Sequence, residues 1–345
     1  MSERFISLYS QMSGTEIPTI REGVPSFLGV SVARTRAELR GADVAIIGVP
    51  YDRTPTAGRP ADQWAGYREA PTNVRKGSLR FRGYLPEYDL DVFEHLRVVD
   101  YGDAEIVDDL QRSIENVARK VQDAVEAGCR PITIGGFSPC ASYAAIKGIA
   151  AATTGTVGVI SLDAHGDCLD REPGGGREPG SVTWEARMWD HFPNVDPTHH
   201  VEIGMRGPRN LRQMVETYRA KRAHWIPSAE VHREGIQSIC ESALPHAFSA
   251  CARTWLHLDM DVLDIGAVPD WGDEPLGLSA WEVTKVVHEA GRRGLAGLSF
   301  VYVAPKSAAI AALISYISVY FMGGLVLGQR GEPAKETPKG GETPR

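Results

Sequence analysis

Apolar residues follow two rhythms along most of this chain. Short, nearly unbroken apolar runs bounded by turn residues occur at Val44–Gly48, Arg97–Asp100, Pro131–Ile134, Val157–Leu162, His200–Ile203, Trp255–Leu258 and Gly297–Val303. Their length and boundaries predict strands buried on both faces. Between them, apolar residues recur every three or four positions. In Asp109–Ala127, for example, Ile114, Val117, Val121 and Val125 share one helical face. Arg209–Lys221, Gly235–Ala243 and Ala280–Arg293 repeat that period and predict amphipathic helices. Strands alternating with helices imply an α/β domain with a mainly parallel central sheet covered on both sides.

The rhythm fails at both ends. Met1–Leu39 shows no period and contains Pro18 and Pro25, so residues 1–40 are expected to form an extended N-terminal arm. Residues 331–345 are almost entirely Pro, Gly, Lys, Glu and Thr and are expected to be a disordered tail. Residues 41–330 then form one domain. Within it, Ser307–Leu327 carries no charge and is as long as a bilayer span. Its Ala and Ser content, Tyr316, Tyr320 and the Gly323–Gly324 pair favour a buried or interface helix instead. Lys306 and Arg330 flank it on either side and give no orientation bias.

Composition narrows the class. With 345 residues, 43% of them hydrophobic, the chain can bury a large core. A net charge of −7 without a basic run argues against nucleic-acid or anionic-membrane partners. Five scattered cysteines without a C-x-x-C pair argue against a disulfide scaffold. With no secretory pattern in Met1–Gly14, they point to the cytoplasm.

Candidate chemistry lies at two predicted strand ends, where open parallel sheets place their ligands. One is Ser161-Leu162-Asp163-Ala164-His165-Gly166-Asp167; the other is Leu258-Asp259-Met260-Asp261-Val262-Leu263-Asp264. Alternation by two turns Asp163, His165 and Asp167 the same way, and likewise Asp259 and Asp261. Carboxylates converging on one imidazole repel unless a cation neutralises them, and such oxygen-rich donors suit Mn, Ni, Fe or Zn. His257 precedes Asp259 by two, which leaves it facing the site or filling the core. The His199-His200 pair is expected in a turn or at the surface. Trp184, Trp189, Trp271 and Trp281 lie near the motif loops and are candidates for a pocket wall or a subunit interface.

These residues resemble the two signature motifs of the ureohydrolases, the family of arginases, agmatinases and guanidinases. Asp163-Ala-His-Gly-Asp167 matches the first and Leu258-Asp-Met-Asp-Val-Leu-Asp264 the second. Ala45–Asp52, Val99–Asp103, Val201–Gly207 and Gly277–Glu282 resemble further landmarks, so the likeness runs roughly from Gly41 to Leu325. It implies an arginase-like three-layer α/β/α fold, assembly into trimers or hexamers, and a site for two Mn or Ni ions. In the family those ions activate a hydroxide that attacks a guanidinium carbon.

The resemblance breaks at three catalytic positions. Gly135-Gly136-Phe137-Ser138-Pro139 has Ser138 where the family supplies a metal-binding His, and Phe137, expected to pack in the core, in place of an acid. Val182 stands where many members carry a His in the loop after the first motif. Asp170, Glu172 and Glu178 in that loop are expected at a solvated surface. Tyr302 replaces the glutamate that binds the substrate cation, and Lys306-Ser307 stands where an Asp is usual. A phenol does not carry that charge at neutral pH.

No catalytic position is then intact, while Asp163, His165, Asp167, Asp259 and Asp261 remain as a partial metal set for none or one divalent ion. The expected role is a non-catalytic subunit supporting an active ureohydrolase-type paralogue in a mixed trimer or hexamer. That paralogue would hold Ni or Mn and act on guanidino or biguanide compounds. The arrangement resembles heteromeric metformin hydrolase, built from two unlike ureohydrolase-type chains. The alternative is an active amidine hydrolase with a rebuilt ligand shell. There Ser138, Cys140 or Cys168 would complete the shell, although both cysteines more simply read as small buried hydrophobes, and Tyr302 would favour a less cationic substrate.

Overall fold

Nine strands form one sheet among the described residues, which in this computed structural model are 16–52, 66–269 and 272–331. Trp271, residues 1–15 of the expected arm and residues 332–345 of the expected tail lie outside them. In chain order the strands are β1 (Ser31–Val32), β2 (Val44–Gly48), β3 (Val98–Asp103), β4 (Arg130–Ile134) and β5 (Val157–Leu162). They continue with β6 (Val195–Met205), β7 (His224–Pro227), β8 (Arg253–Asp259) and β9 (Gly297–Val301). Across the sheet they lie in the order β7-β6-β5-β8-β9-β4-β2-β3-β1, and every pair is parallel.

The helices are α1 (Ala70–Ser78), α2 (Leu110–Glu126), α3 (Tyr143–Ala151), α4 (Trp184–His191) and α5 (Arg212–Lys221), then α6 (Ser228–Glu234), α7 (Ile236–Phe248), α8 (Ala280–Arg292) and α9 (Ala308–Gln329). They divide into two cores. Ile132, Ile160, Leu256 and Leu298 meet α1, α7, α8 and α9 on one side of the sheet. Ala45, Val159 and Trp255 meet α2, α3, α4 and α5 on the other. This is the expected three-layer architecture.

Where the sequence rhythm was clean, the elements follow it. The Asp109 carboxylate accepts from the Arg112 amide at 2.7 Å and starts α2. Ser279 and Glu282 form a capping box at the start of α8. Helix α3 carries no periodic signal because its Ala-rich sequence is buried nearly all round. Strand β6 begins at Val195, five residues before the expected start, because Asp196–His199 interrupts its apolar run.

The long apolar run is an inner helix. Ser307 caps α9 by accepting from the Ile310 amide at 3.0 Å. Although α9 is long and apolar enough to cross a membrane, it packs against α8, and most of its residues are buried. The two helices meet through glycines: a Cβ on Gly324 would stand 2.3 Å from the His288 carbonyl oxygen. Residues 16–40, the described part of the expected arm, close the far edge of the sheet. There β1 pairs with β3, and the Phe27 amide donates to Asp100 Oδ2 at 2.8 Å.

Candidate metal centre

Strands β5 and β8 are neighbours, with Leu162 opposite Leu258, so both acidic motifs leave the sheet side by side. Asp163 is the hinge of the cluster. Its Oδ1 lies 3.6 Å from His165 Nδ1 and accepts from the His165 amide at 2.8 Å. Its Oδ2 faces His257 Nε2 at 3.6 Å. His165 Nδ1 also lies 3.1 Å from Asp261 Oδ2.

Two overlapping donor groups result. Asp163, His165 and Asp261 form one, Asp163, His257 and Asp259 the other; within each, one ligand atom per residue lies within 4.8 Å of the rest. A divalent ion fits this set. Asp163 Oδ2 is buried without a hydrogen bond, and the donors are the carboxylate and imidazole types that Mn, Ni, Fe and Zn accept.

The electrostatics agree with such a site. Burial, then Asp261 and Asp163, push Asp259 well above the ordinary carboxylate range. Burial also leads the rise of Asp261. For Asp163 burial is the largest influence and opposes its charge, yet the adjacent His165 and His257 bring it below the usual value. His165 resists burial in the same way, because Asp261, Asp163 and Glu274 hold its proton.

Asp167 stands apart from both groups. Its Oδ2 accepts from Trp184 Nε1 at 2.9 Å, and the Trp184 ring lies 4.5 Å from the His257 ring. Asp264 belongs to the loop: it accepts from the Gly266 and Gly277 amides at 2.8 and 3.1 Å.

The substituted positions lie elsewhere. The Ser138 hydroxyl pairs with the Ser142 hydroxyl at 2.7 Å. Phe137 packs in the core as expected, 4.3 Å from Tyr67 and 5.1 Å from Tyr302 between ring centroids. Tyr302 stacks on Tyr67 and donates its amide to the Gly136 carbonyl at 3.0 Å. Its phenol is pushed far up, by burial first and then by Tyr67, Asp273, Asp261 and Asp259. Tyr302 is therefore a neutral aromatic. Val182 donates its amide to Glu172 Oε1 at 3.1 Å.

Two expectations need correction. Glu172 is buried, with Thr183 Oγ1 donating to it at 2.7 Å; it ties the loop together rather than meeting solvent. His200 lies inside β6 and is wholly buried, because the strand begins earlier than its apolar run. Cys140 and Cys168 are buried, in keeping with their simpler reading: they join neither donor group, and burial holds both thiols protonated. Of the tryptophans, Trp184 and Trp189 are buried, while Trp281 is exposed.

The sequence reading also missed residues. Glu274 Oε1 lies 2.9 Å from His165 Nε2 and accepts from Arg209 Nη1 at 2.8 Å. It fixes which imidazole nitrogen faces the carboxylates. Nothing in its local sequence marks that role, since it approaches from a loop 109 residues away. Glu185 and Glu202 were likewise passed over, because each is one polar residue among several in its element.

Converging carboxylates and an imidazole at the central strand ends of a parallel sheet define an α/β protein shaped around divalent ions. The chain belongs to the arginase family, whose sequence model matches residues 42–319. It is 29% identical over 300 residues to formimidoylglutamase of Bacillus subtilis, covering 84% of this chain and 90% of that protein. It is 28% identical over 285 residues to mitochondrial agmatinase of Gallus gallus, covering 82% and 79%. A Trypanosoma cruzi formiminoglutamase solved with Mn2+2 has the same fold, with a TM-score of 0.74 at 24% identity over 90% of this chain and 100% of that one.

Proposed function

We propose that this chain is a non-catalytic subunit of a metal-dependent hydrolase of guanidino or biguanide compounds, of the metformin-hydrolase type. It supports an active ureohydrolase-type paralogue in a mixed trimer or hexamer. One observation carries the reading. Phe137 and Tyr302, which replace an acid and the cation-binding glutamate of the family pattern, pack on each other and on Tyr67 as a buried aromatic plug. A guanidinium entering there meets aromatic carbon and a phenol where it needs a carboxylate.

Asp163, His165 and Asp261, with Asp259 beside them, are the residues that would hold an ion in this chain. A divalent ion there would supply a Lewis acid and acidify bound water. Ser138, bonded to Ser142, adds no imidazole for a second ion. Ni or Mn is therefore assigned to the active partner.

Co-expression with a full-motif ureohydrolase chain tests the proposal. One co-eluting complex is expected, with hydrolysis that needs the partner's metal ligands and survives Asp259→Ala in this chain. Separate elution of the two chains overturns it.

One observation favours a second reading, an active enzyme with a rebuilt ligand shell. His257 brings an imidazole to Asp163 and Asp259, where the first ion would need one. Turnover by this chain alone, abolished by Asp259→Ala, would establish that reading instead.

A further inference from the structure

Beneath the metal centre runs a second, separate polar layer. Glu202 on β6 lies opposite Ser161 on β5, and Ser161 lies opposite His257 on β8, two residues before Asp163 and Asp259 in their strands. Glu185 on α4 and Tyr218 on α5 close over this row. Glu185, His200, Glu202 and Tyr218 are all fully buried.

Their geometry is that of a ligand set. His200 Nε2 lies 3.6 Å from Glu185 Oε1 and 4.0 Å from Glu202 Oε2. Donors around a tetrahedral ion with bonds of about 2.1 Å stand roughly 3.4 Å apart, so a small contraction closes the shell. The Tyr218 hydroxyl donates to Glu185 Oε2 at 2.5 Å and to Glu202 Oε2 at 3.3 Å, and Ser161 Oγ lies 3.0 Å from His200 Nε2.

No cation stands beside the two acids. Among the described residues neither meets a Lys or Arg, and burial lowers the pKa of His200, the imidazole between them, to about 3. Independently of that clustering, Glu202 Oε1 is buried in the same place with no hydrogen-bond partner at all. A buried acceptor left unpaired is costly, more so if charged. A divalent cation answers both observations at once.

We propose that Glu185, His200 and Glu202 hold a divalent cation of their own, of the kind that accepts mixed oxygen and nitrogen donors, one layer below the ureohydrolase site. The site has no opening to solvent, so the ion enters as the chain folds and acts as a structural brace between β6, α4 and α5. This assignment is independent of the subunit role proposed above.

The test uses the full-length chain produced with Zn2+ and dialysed to remove loose metal. Anomalous diffraction at the zinc edge is expected to place a peak between Glu185 and Glu202. Elemental analysis is expected to find one zinc per chain retained in an Asp163→Asn/Asp261→Asn variant. Glu202→Gln is expected to contain one zinc fewer than the wild type. A peak confined to the Asp163 cluster, a double variant empty of zinc, or an unchanged content in Glu202→Gln overturns the proposal. If Glu202→Gln does not fold, the wild-type anomalous map decides by itself.

Discussion

The ends of β5 and β8 and the ends of β4 and β9 lie along one edge of the same sheet, yet they carry opposite chemistry. At β5 and β8 the chain buries Asp163, Asp259 and Asp261 around a partly buried His165, groups whose desolvation is costly without a cation. At β4 and β9 it buries Phe137 and Tyr302 against Tyr67, surfaces that gain from leaving water. The first half is built to hold an ion. The second presents aromatic carbon and a phenol where the first presents carboxylates. Under the proposed subunit role, holding a metal and admitting a cationic substrate are separable tasks on this scaffold, and each substitution below tests that separation.

The largest effect is expected from Asp261→Ala. It removes a carboxylate 3.1 Å from His165 Nδ1 and leaves the Asp163–His165 pair short of a ligand. Calorimetric titration with Mn2+ should show affinity falling by more than the ~100-fold that losing an outer support costs. Retention within tenfold would mean that the ion, if held, uses the His257 side of Asp163 instead.

Phe137→Ala probes the other half. Truncating a buried Phe typically costs about 3–5 kcal/mol, and here it opens a cavity beside Tyr67 and Tyr302. Chemical denaturation should register that loss while Mn2+ affinity stays within about threefold. A large drop in affinity would show that the plug props up the ligands, and the two halves would then be one unit.

Glu274→Gln is expected to act more gently, and on the metal side alone. It keeps a hydrogen-bonding group beside His165 Nε2 but loses the charge that fixes the imidazole, also held by Arg209. A reduction of ~10–100-fold in Mn2+ affinity with little change in thermal midpoint is the expected result. A normal affinity would reduce Glu274 to a loop tie.

How much of this could be read beforehand follows from locality. The two acidic motifs and the strands before them were legible because period, boundary residues and charge coincide within seven positions. Phe137 and Tyr302 could be flagged only as departures from a family pattern. That they close on each other through Tyr67 depends on β4 and β9 being neighbours, which no local signal states. His200 was misplaced because the polar stretch before it hid the strand start. Glu185 and Glu202 were invisible for a related reason. An acid in a mixed polar stretch looks solvated until the register of β6 against β5 puts Glu202 below the metal row and α4 lays Glu185 over it.

Trp184→Phe should give the smallest effect, and it bears on the boundary between the halves. The ring packs on His257, while its N–H donates to Asp167 Oδ2 at 2.9 Å, so Phe keeps the packing and removes only the donor. Asp167 lies well above the ordinary carboxylate range, raised by burial and then by Asp163, which lessens the charge assistance in that bond. Such a bond is worth roughly 0.5–1.5 kcal/mol, and the midpoint of denaturation should shift by no more than that. Because Asp167 lies outside the Asp163–His165–Asp261 group, Mn2+ affinity should change by less than about threefold. If affinity instead falls as far as in Asp261→Ala, Asp167 is itself a ligand when the ion is bound. The indole then serves to hold it ready, and the metal half extends one residue further than the present geometry draws it.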